Sequence, residues 1–168
     1  MFVKFITINT FIFIIYFFSI AIVSAEDNSL VIEIDNPKFS EKGLNDRIYE
    51  IKANKGLKSN DSLELFLVVG KFKTENNGKW VYLEADKGNF IQASNFIILE
   101  NNIKFYTEDG ETVKSDLASF DMEQDMIILQ NNVRHESPSG LILSDNSTIT
   151  NNFSNIVYKG NVTSVINN

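Results

Sequence analysis

Residues 85–105 read ADKGNFIQASNFIILENNIKF, residues 115–135 read SDLASFDMEQDMIILQNNVRH, and residues 144–164 read SDNSTITNNFSNIVYKGNVTS. The three stretches align without gaps at offsets of 30 and 29 residues. Each opens on a small residue and an aspartate, Asp86, Asp116 or Asp145. Each closes on an apolar alternation that runs into Asn or Gly, then Asn, then Ile or Val. Leu99, Leu129 and Tyr158 occupy one shared position; Asn102, Asn132 and Asn161 another; Ile103, Val133 and Val162 a third. A degraded earlier copy starts at Ala53-Asn54-Lys55-Gly56. Self-similarity at this period marks a stacked repeat.

The period inside each unit is two, the signature of a half-buried strand. One phase is apolar throughout: Leu63, Leu65, Leu67 and Val69; Val81 and Leu83; Ile97, Leu99, Ile103 and Phe105; Ile127, Leu129 and Val133; Ile156, Tyr158 and Val162. That phase is the expected interior. The opposite phase is mixed and includes Phe96, Ile98 and Ile128. Turn chemistry separates the strands at Asn76-Asn77-Gly78, Asp109-Gly110, Ser137 to Gly140 and Asn151-Asn152. Paired Asn before Ile103 and Val133, and Gly-Asn before Val162, suit a bulge that needs left-handed backbone. No window after residue 26 sustains an amphipathic helix, and Asn, 20 of the residues after the leader, disfavours one. The class is all-β. A single hairpin cannot bury its apolar face, so the units should pile into an elongated antiparallel stack with unpaired backbone at both ends.

Before the repeats lies a run without a charge, residues 5–25, FITINTFIFIIYFFSIAIVSA. As a helix it would be about 31 Å long, the thickness of a bilayer core. Lys4 precedes it and Glu26 follows, an asymmetry that exports the remainder. Two readings stay open: a retained anchor over 1–25, or a signal peptide cut after Val23-Ser24-Ala25. Residues 26–168 form the exported domain in either case.

Composition excludes several chemistries. The chain has 168 residues, no Cys, one His and a net charge of −7, with 15 basic against 22 acidic side chains. Disulfides, thiolate metal sites and cysteine nucleophiles are absent. The acidic balance, with Arg47 and Arg134 the only arginines, argues against nucleic acid. His135, the single imidazole, ends a strand beside a turn and reads as a solvated rim residue, not a general base. No Gly-x-Ser-x-Gly elbow and no His-Glu-x-x-His occur. The acidic groups at Asp109-Gly110-Glu111 and at Asp121, Glu123 and Asp125 lack calcium-loop spacing. Asp86, Asp116 and Asp145 are expected to bond turn backbone. Four Asn-x-Ser/Thr triplets, at Asn60, Asn146, Asn152 and Asn161, read as incidental in so Asn-rich a chain. The sequence points to no enzyme, cofactor or metal.

The order of several weak motifs resembles a known family. The apolar leader is followed by Asn36-Pro37-Lys38-Phe39, then Arg47-Ile48-Tyr49-Glu50-Ile51-Lys52-Ala53, then Trp80-Val81-Tyr82-Leu83-Glu84-Ala85-Asp86, then Gly140-Leu141-Ile142-Leu143-Ser144-Asp145, and Gly160-Asn161-Val162. Over residues 36–166 this resembles LptC, the single-pass lipopolysaccharide transport protein, within the superfamily that includes LptA and OstA-like domains. The resemblance implies a twisted antiparallel β-jellyroll open at both ends, tethered to the inner membrane with its C-terminal domain in the periplasm. It implies acyl chains held along the interior phase, at Leu63, Leu65, Leu67, Val69, Val81, Leu83, Ile97, Leu99, Ile103, Phe105, Ile127, Leu129, Val133, Tyr158 and Val162. It implies lipopolysaccharide received from the LptBFG transporter and handed to LptA by edge-strand docking, without covalent chemistry. The alternatives are a soluble LptA-like bridge, if the leader is cut, and an exported structural β-repeat with a dry core.

Overall fold

Left-handed asparagines decide how the strands run. In the computed structural model, which describes residues 30–42, 48–74, 78–151 and 153–167, Asn101 and Asn102 have φ of 63° and 51°, and Asn131 and Asn132 of 64° and 53°. Gly160 and Asn161, the equivalent pair of the third unit, have φ of 71° and 33°. L-residues rarely visit this region, and Asn tolerates it best after Gly. Two such residues in succession kink the strand, and the pairing register slips by one at each kink.

Among the described residues twelve strands result: β1 (Ile32–Asp35), β2 (Lys38–Lys42), β3 (Ile48–Lys52), β4 (Lys55–Lys58), β5 (Ser62–Lys73), β6 (Trp80–Ile91), β7 (Phe96–Thr107), β8 (Thr112–Asp121), β9 (Met126–Ser137), β10 (Gly140–Thr150), β11 (Asn155–Lys159) and β12 (Thr163–Ile166). One 3-10 turn, Gln92–Ser94, joins β6 to β7. Every pairing is antiparallel. The main order is β1-β4-β5-β6-β7-β8-β9-β10-β11, with β3 and β2 added along the second half of β5 and β12 along the first half of β10.

Because β5 to β10 each fold at mid-length, one sheet makes two facing layers. The first layer holds β1, β4, residues 62–66, 87–91, 96–100, 117–121, 126–130 and 146–150, and β11. The second holds β2, β3, residues 68–73, 80–85, 103–107, 112–115, 133–137 and 140–144, and β12. Aspartates brace the corner. Asn102 Nδ2 donates to Asp86 Oδ2 at 2.7 Å, Asn132 Nδ2 to Asp116 Oδ2 at 2.5 Å, and Asn161 Nδ2 to Asp145 Oδ2 at 2.9 Å. The repeated aspartates therefore accept from a side-chain amide on a neighbouring segment. They do not cap turn backbone, as the sequence had suggested.

The shared apolar phase is the interior in most places. Leu63, Leu65, Val81, Leu83, Ile97, Leu99, Ile103, Phe105, Ile127, Leu129 and Val133 are all buried. Three expected members are not: Leu67 is 57%, Val69 48% and Val162 52% exposed. Leu67 is itself the corner residue of β5, with φ of 53°. The kink reverses the alternation behind it, so Val68 and Phe72 turn inward and Val69 outward. Val162 follows the last corner and leads into β12, which has a strand on one side only. Its counterparts Ile103 and Val133 are covered by strands on both sides.

The leader 1–25, both as anchor and as cleavable peptide, lies outside the described residues. Among the described residues no helix is long and apolar enough to cross a membrane.

Candidate functional site

The space between the layers is the candidate site, and cross-strand register fixes what lines it. Along the first layer Leu65, Gly88, Leu99, Ala118, Leu129, Ser147 and Tyr158 stand opposite one another from strand to strand. Beside them run Leu63, Phe90, Ile97, Phe120, Ile127, Ile149 and Ile156. Large and small residues alternate in the first row. A Cβ at Gly88 would sit 3.2 Å from the Val68 side chain, so the facing layer fills the space that Gly88 leaves. Along the second layer Phe39, Ile51, Gly70, Leu83, Phe105, Val113, His135 and Ile142 share the inward face.

Three regions of this interior differ. At the β2–β3 end the layers stand apart around a cleft of about 350 Å3. Phe39, Tyr49 and Ile51 line it from one layer, Leu65, Phe90 and Ile97 from the other, and Met122 from the β8–β9 turn. Lys38 and Ser40 are exposed at its border. The volume lies within the range of small-molecule pockets, about 300–1,000 Å3. In the centre the interior is full. Tyr49, Phe72 and Phe120 meet with ring centroids 5.7–6.2 Å apart, and Phe153 packs on Phe72 and Phe105 at 5.7 and 5.3 Å. The Tyr49 hydroxyl donates to Asp125 Oδ1 at 3.1 Å, which fixes the ring. A gap of about 10 Å3 is what remains among these residues. The cleft thus ends on an aromatic cluster, and the interior is not one continuous trough along the shared apolar phase.

At the β11–β12 end the lining turns polar. Ser144 and Ser147 of β10 are buried there, with Ser115 of β8 two strands away, and His135 faces inward against Tyr158. Ser115 Oγ and Ser144 Oγ donate to the carbonyls of Leu117 and Asn146 at the corner. Ser147 Oγ, in a residue 1% exposed, has no partner. His135 is therefore not the solvated rim residue expected from its neighbours. It keeps the inward phase of Val133, and burial pushes its imidazole below the ordinary value against the pull of Glu111. Burial, with Glu111 adding to it, pushes the Tyr158 hydroxyl up to about 12. Tyr158 and Ile156 are only half-buried, so five of the expected interior residues are not fully enclosed.

The interior residues that phase analysis missed include Tyr49, Val68, Phe72, Val113, Ala118, Phe120, Ile149 and Phe153. All but Phe153 alternate regularly within their own half-strand. The signal was present, but it reads correctly only once each strand is divided at its corner. Among the described residues no group of three His, Asp or Glu could hold a metal ion.

Fold and interior together define a class: a folded antiparallel β-repeat with an apolar space between its layers. Among solved structures, this chain is similar to that of LptH, the LptA homologous periplasmic component of the lipopolysaccharide transport device from Pseudomonas aeruginosa. The match has 7% sequence identity, covers 83% of this chain and 96% of that one, and has a TM-score of 0.35. No family model matches the sequence, and no curated protein matches it.

Proposed function

We propose that this chain is a lipopolysaccharide transport module that takes an acyl chain between its layers and passes it on without covalent chemistry. The observation that carries the reading is the 350 Å3 cleft bounded by Phe39, Ile51, Leu65, Phe90, Ile97 and Met122, open to solvent beside Lys38. A chain entering it would meet carbon on both sides, and each buried methylene contributes about 0.8 kcal/mol. Lys38 stands where an anionic headgroup would remain in water. Passage further inward requires the Tyr49–Phe72–Phe120 cluster to part. The motif order that resembles LptC supports the finer reading: an anchor over 1–25 in the inner membrane, receipt from LptBFG at one end, and delivery to LptA at a free strand edge. Among the described residues β1 and β2 at one end, and β11 and β12 at the other, each pair on one side only and leave such edges.

The test is photo-crosslinking in cells with a probe at Phe90 in the cleft and another at Ile98 on the outer face. Capture of lipopolysaccharide at Phe90 and not at Ile98 is expected. Equal capture at both, or none at Phe90, removes the proposal. Native mass spectrometry of the membrane-extracted chain then reports whether the leader is retained. The filled centre favours one other reading, an exported structural repeat with a dry core. That reading expects no glycolipid on the purified chain.

A further inference from the structure

We propose that His135 and Tyr158 form a proton-operated latch on the β11–β12 end of the interior, closed while the imidazole is neutral and released when it is protonated. The proposal needs no ligand and stands apart from the transport reading.

The contact joins strands that are not neighbours. β10 lies between β9 and β11 and folds between Ser144 and Asn146. His135 stands opposite Ile142 before that fold, and Tyr158 opposite Ser147 after it. Their rings meet across the angle, centroids 6.0 Å apart and planes 26° apart, with Nδ1 hydrogen-bonded to the Tyr158 hydroxyl. The contact therefore ties β11, a five-residue edge strand, to the opposite layer.

Its dependence on charge follows from the other ring nitrogen. Nε2 is buried and has no hydrogen-bond partner among the described residues. A neutral imidazole leaves one unpaired group there. An imidazolium carries a proton on both nitrogens; Nδ1–H can donate to the Tyr158 oxygen, but Nε2–H has no acceptor, and a charged donor costs more to bury than a neutral one. The surroundings do not compensate. Val113 on β8 and Ile142 on β10 are the uncharged residues opposite, and Ser164 on β12 follows Ile142. Arg134 and Glu136, the neighbours in β9, pair with each other at 2.6 Å. Tyr158 stays neutral across the physiological range. Among the described residues Glu111, from the β7–β8 turn, is the charge that favours the imidazolium, and burial outweighs it. The closed form accordingly holds above the ordinary imidazole value of 6.5 and is lost as the pH falls below it.

Amide hydrogen exchange on the full-length chain in detergent, corrected for the intrinsic effect of pH, tests this between about pH 8 and about pH 5. Protection of β11 and β12 should fall on acidification, by up to about tenfold per pH unit, while that of β7 and β8 holds. His135→Phe keeps a ring to stack and cannot ionise, so its β11–β12 protection should not respond to pH. Tyr158→Phe, which removes only the hydroxyl, should lower that protection at neutral pH by at least about fivefold. The latch is overturned if wild-type β11–β12 protection stays flat while the imidazole titrates by NMR. It is equally overturned if His135→Phe shows the same fall, or if Tyr158→Phe loses no protection.

Discussion

The two ends of the interior are written in the same grammar and finish differently. At the β2–β3 end the inward residues are Phe39, Ile51, Leu65 and Phe90, and the layers leave a cleft. At the β11–β12 end the equivalent rows hold Ser147, Ser144 and His135, and the layers are joined by a polar contact. Corner geometry does not explain the polar lining of the second end, because it repeats from Asn101-Asn102 to Gly160-Asn161. The side chains placed on that backbone do. Leu99 and Leu129 at one repeat position become Tyr158 at the next, and a dry contact becomes a hydrogen-bonded one. A repeat conserves the direction in which a residue points, while each copy sets the chemistry found there.

The largest expected effect separates the filled centre from the cleft. Phe120→Ala should cost about 3–5 kcal/mol in chemical denaturation, because Phe120 is buried and packs against both Tyr49 and Phe72. Phe39→Ala, at a half-buried position on the cleft wall, should cost about 1 kcal/mol, since part of its surface already faces empty space. Equal losses would mean that the cleft is closed in solution and that the contrast between the two regions is false.

A middle-sized effect concerns the corner that both ends share. Asn132→Ala should destabilise by about 1–2 kcal/mol, through left-handed strain at φ 53° and loss of the bond to Asp116. Asn132→Gly should recover the part due to strain and not the part due to the bond, so thermal denaturation of the two variants divides the corner into its two contributions. If Gly and Ala lose equally, backbone strain plays no part.

Much of this was legible in the sequence because it is periodic. The strands follow from alternation, and the kinks at Asn101-Asn102 and Asn131-Asn132 follow from a residue type that tolerates left-handed backbone. The kink in β5 was not legible. Leu67 carries no mark of a corner, and reading straight through it placed Leu67 and Val69 inside and left Val68 and Phe72 out. His135 keeps step with Val133, and that phase is a stronger signal of its inward face than its place beside a turn. The cleft had no signal at all. It exists because β2 and β3 join the sheet along β5 and stand off from Phe90 and Met122, a tertiary spacing that no local pattern encodes.

The smallest effect returns to that illegible corner. Leu67 is the one corner residue among β5, β7 and β9 that is neither Asn nor Gly, and it takes φ of 53° with its side chain mostly in water. A left-handed conformation costs a residue such as Leu about 1–2 kcal/mol. Asn at the same place suffers less and gives up little buried surface. Leu67→Asn should therefore raise stability by up to about 1 kcal/mol, measured as an upward shift of the denaturation midpoint with an unchanged slope. The variant would give the first corner the chemistry of the later ones. If stability falls instead, the exposed Leu67 and Val69 are covered by another surface in the measured sample, and that corner is a contact site and not a misfit residue.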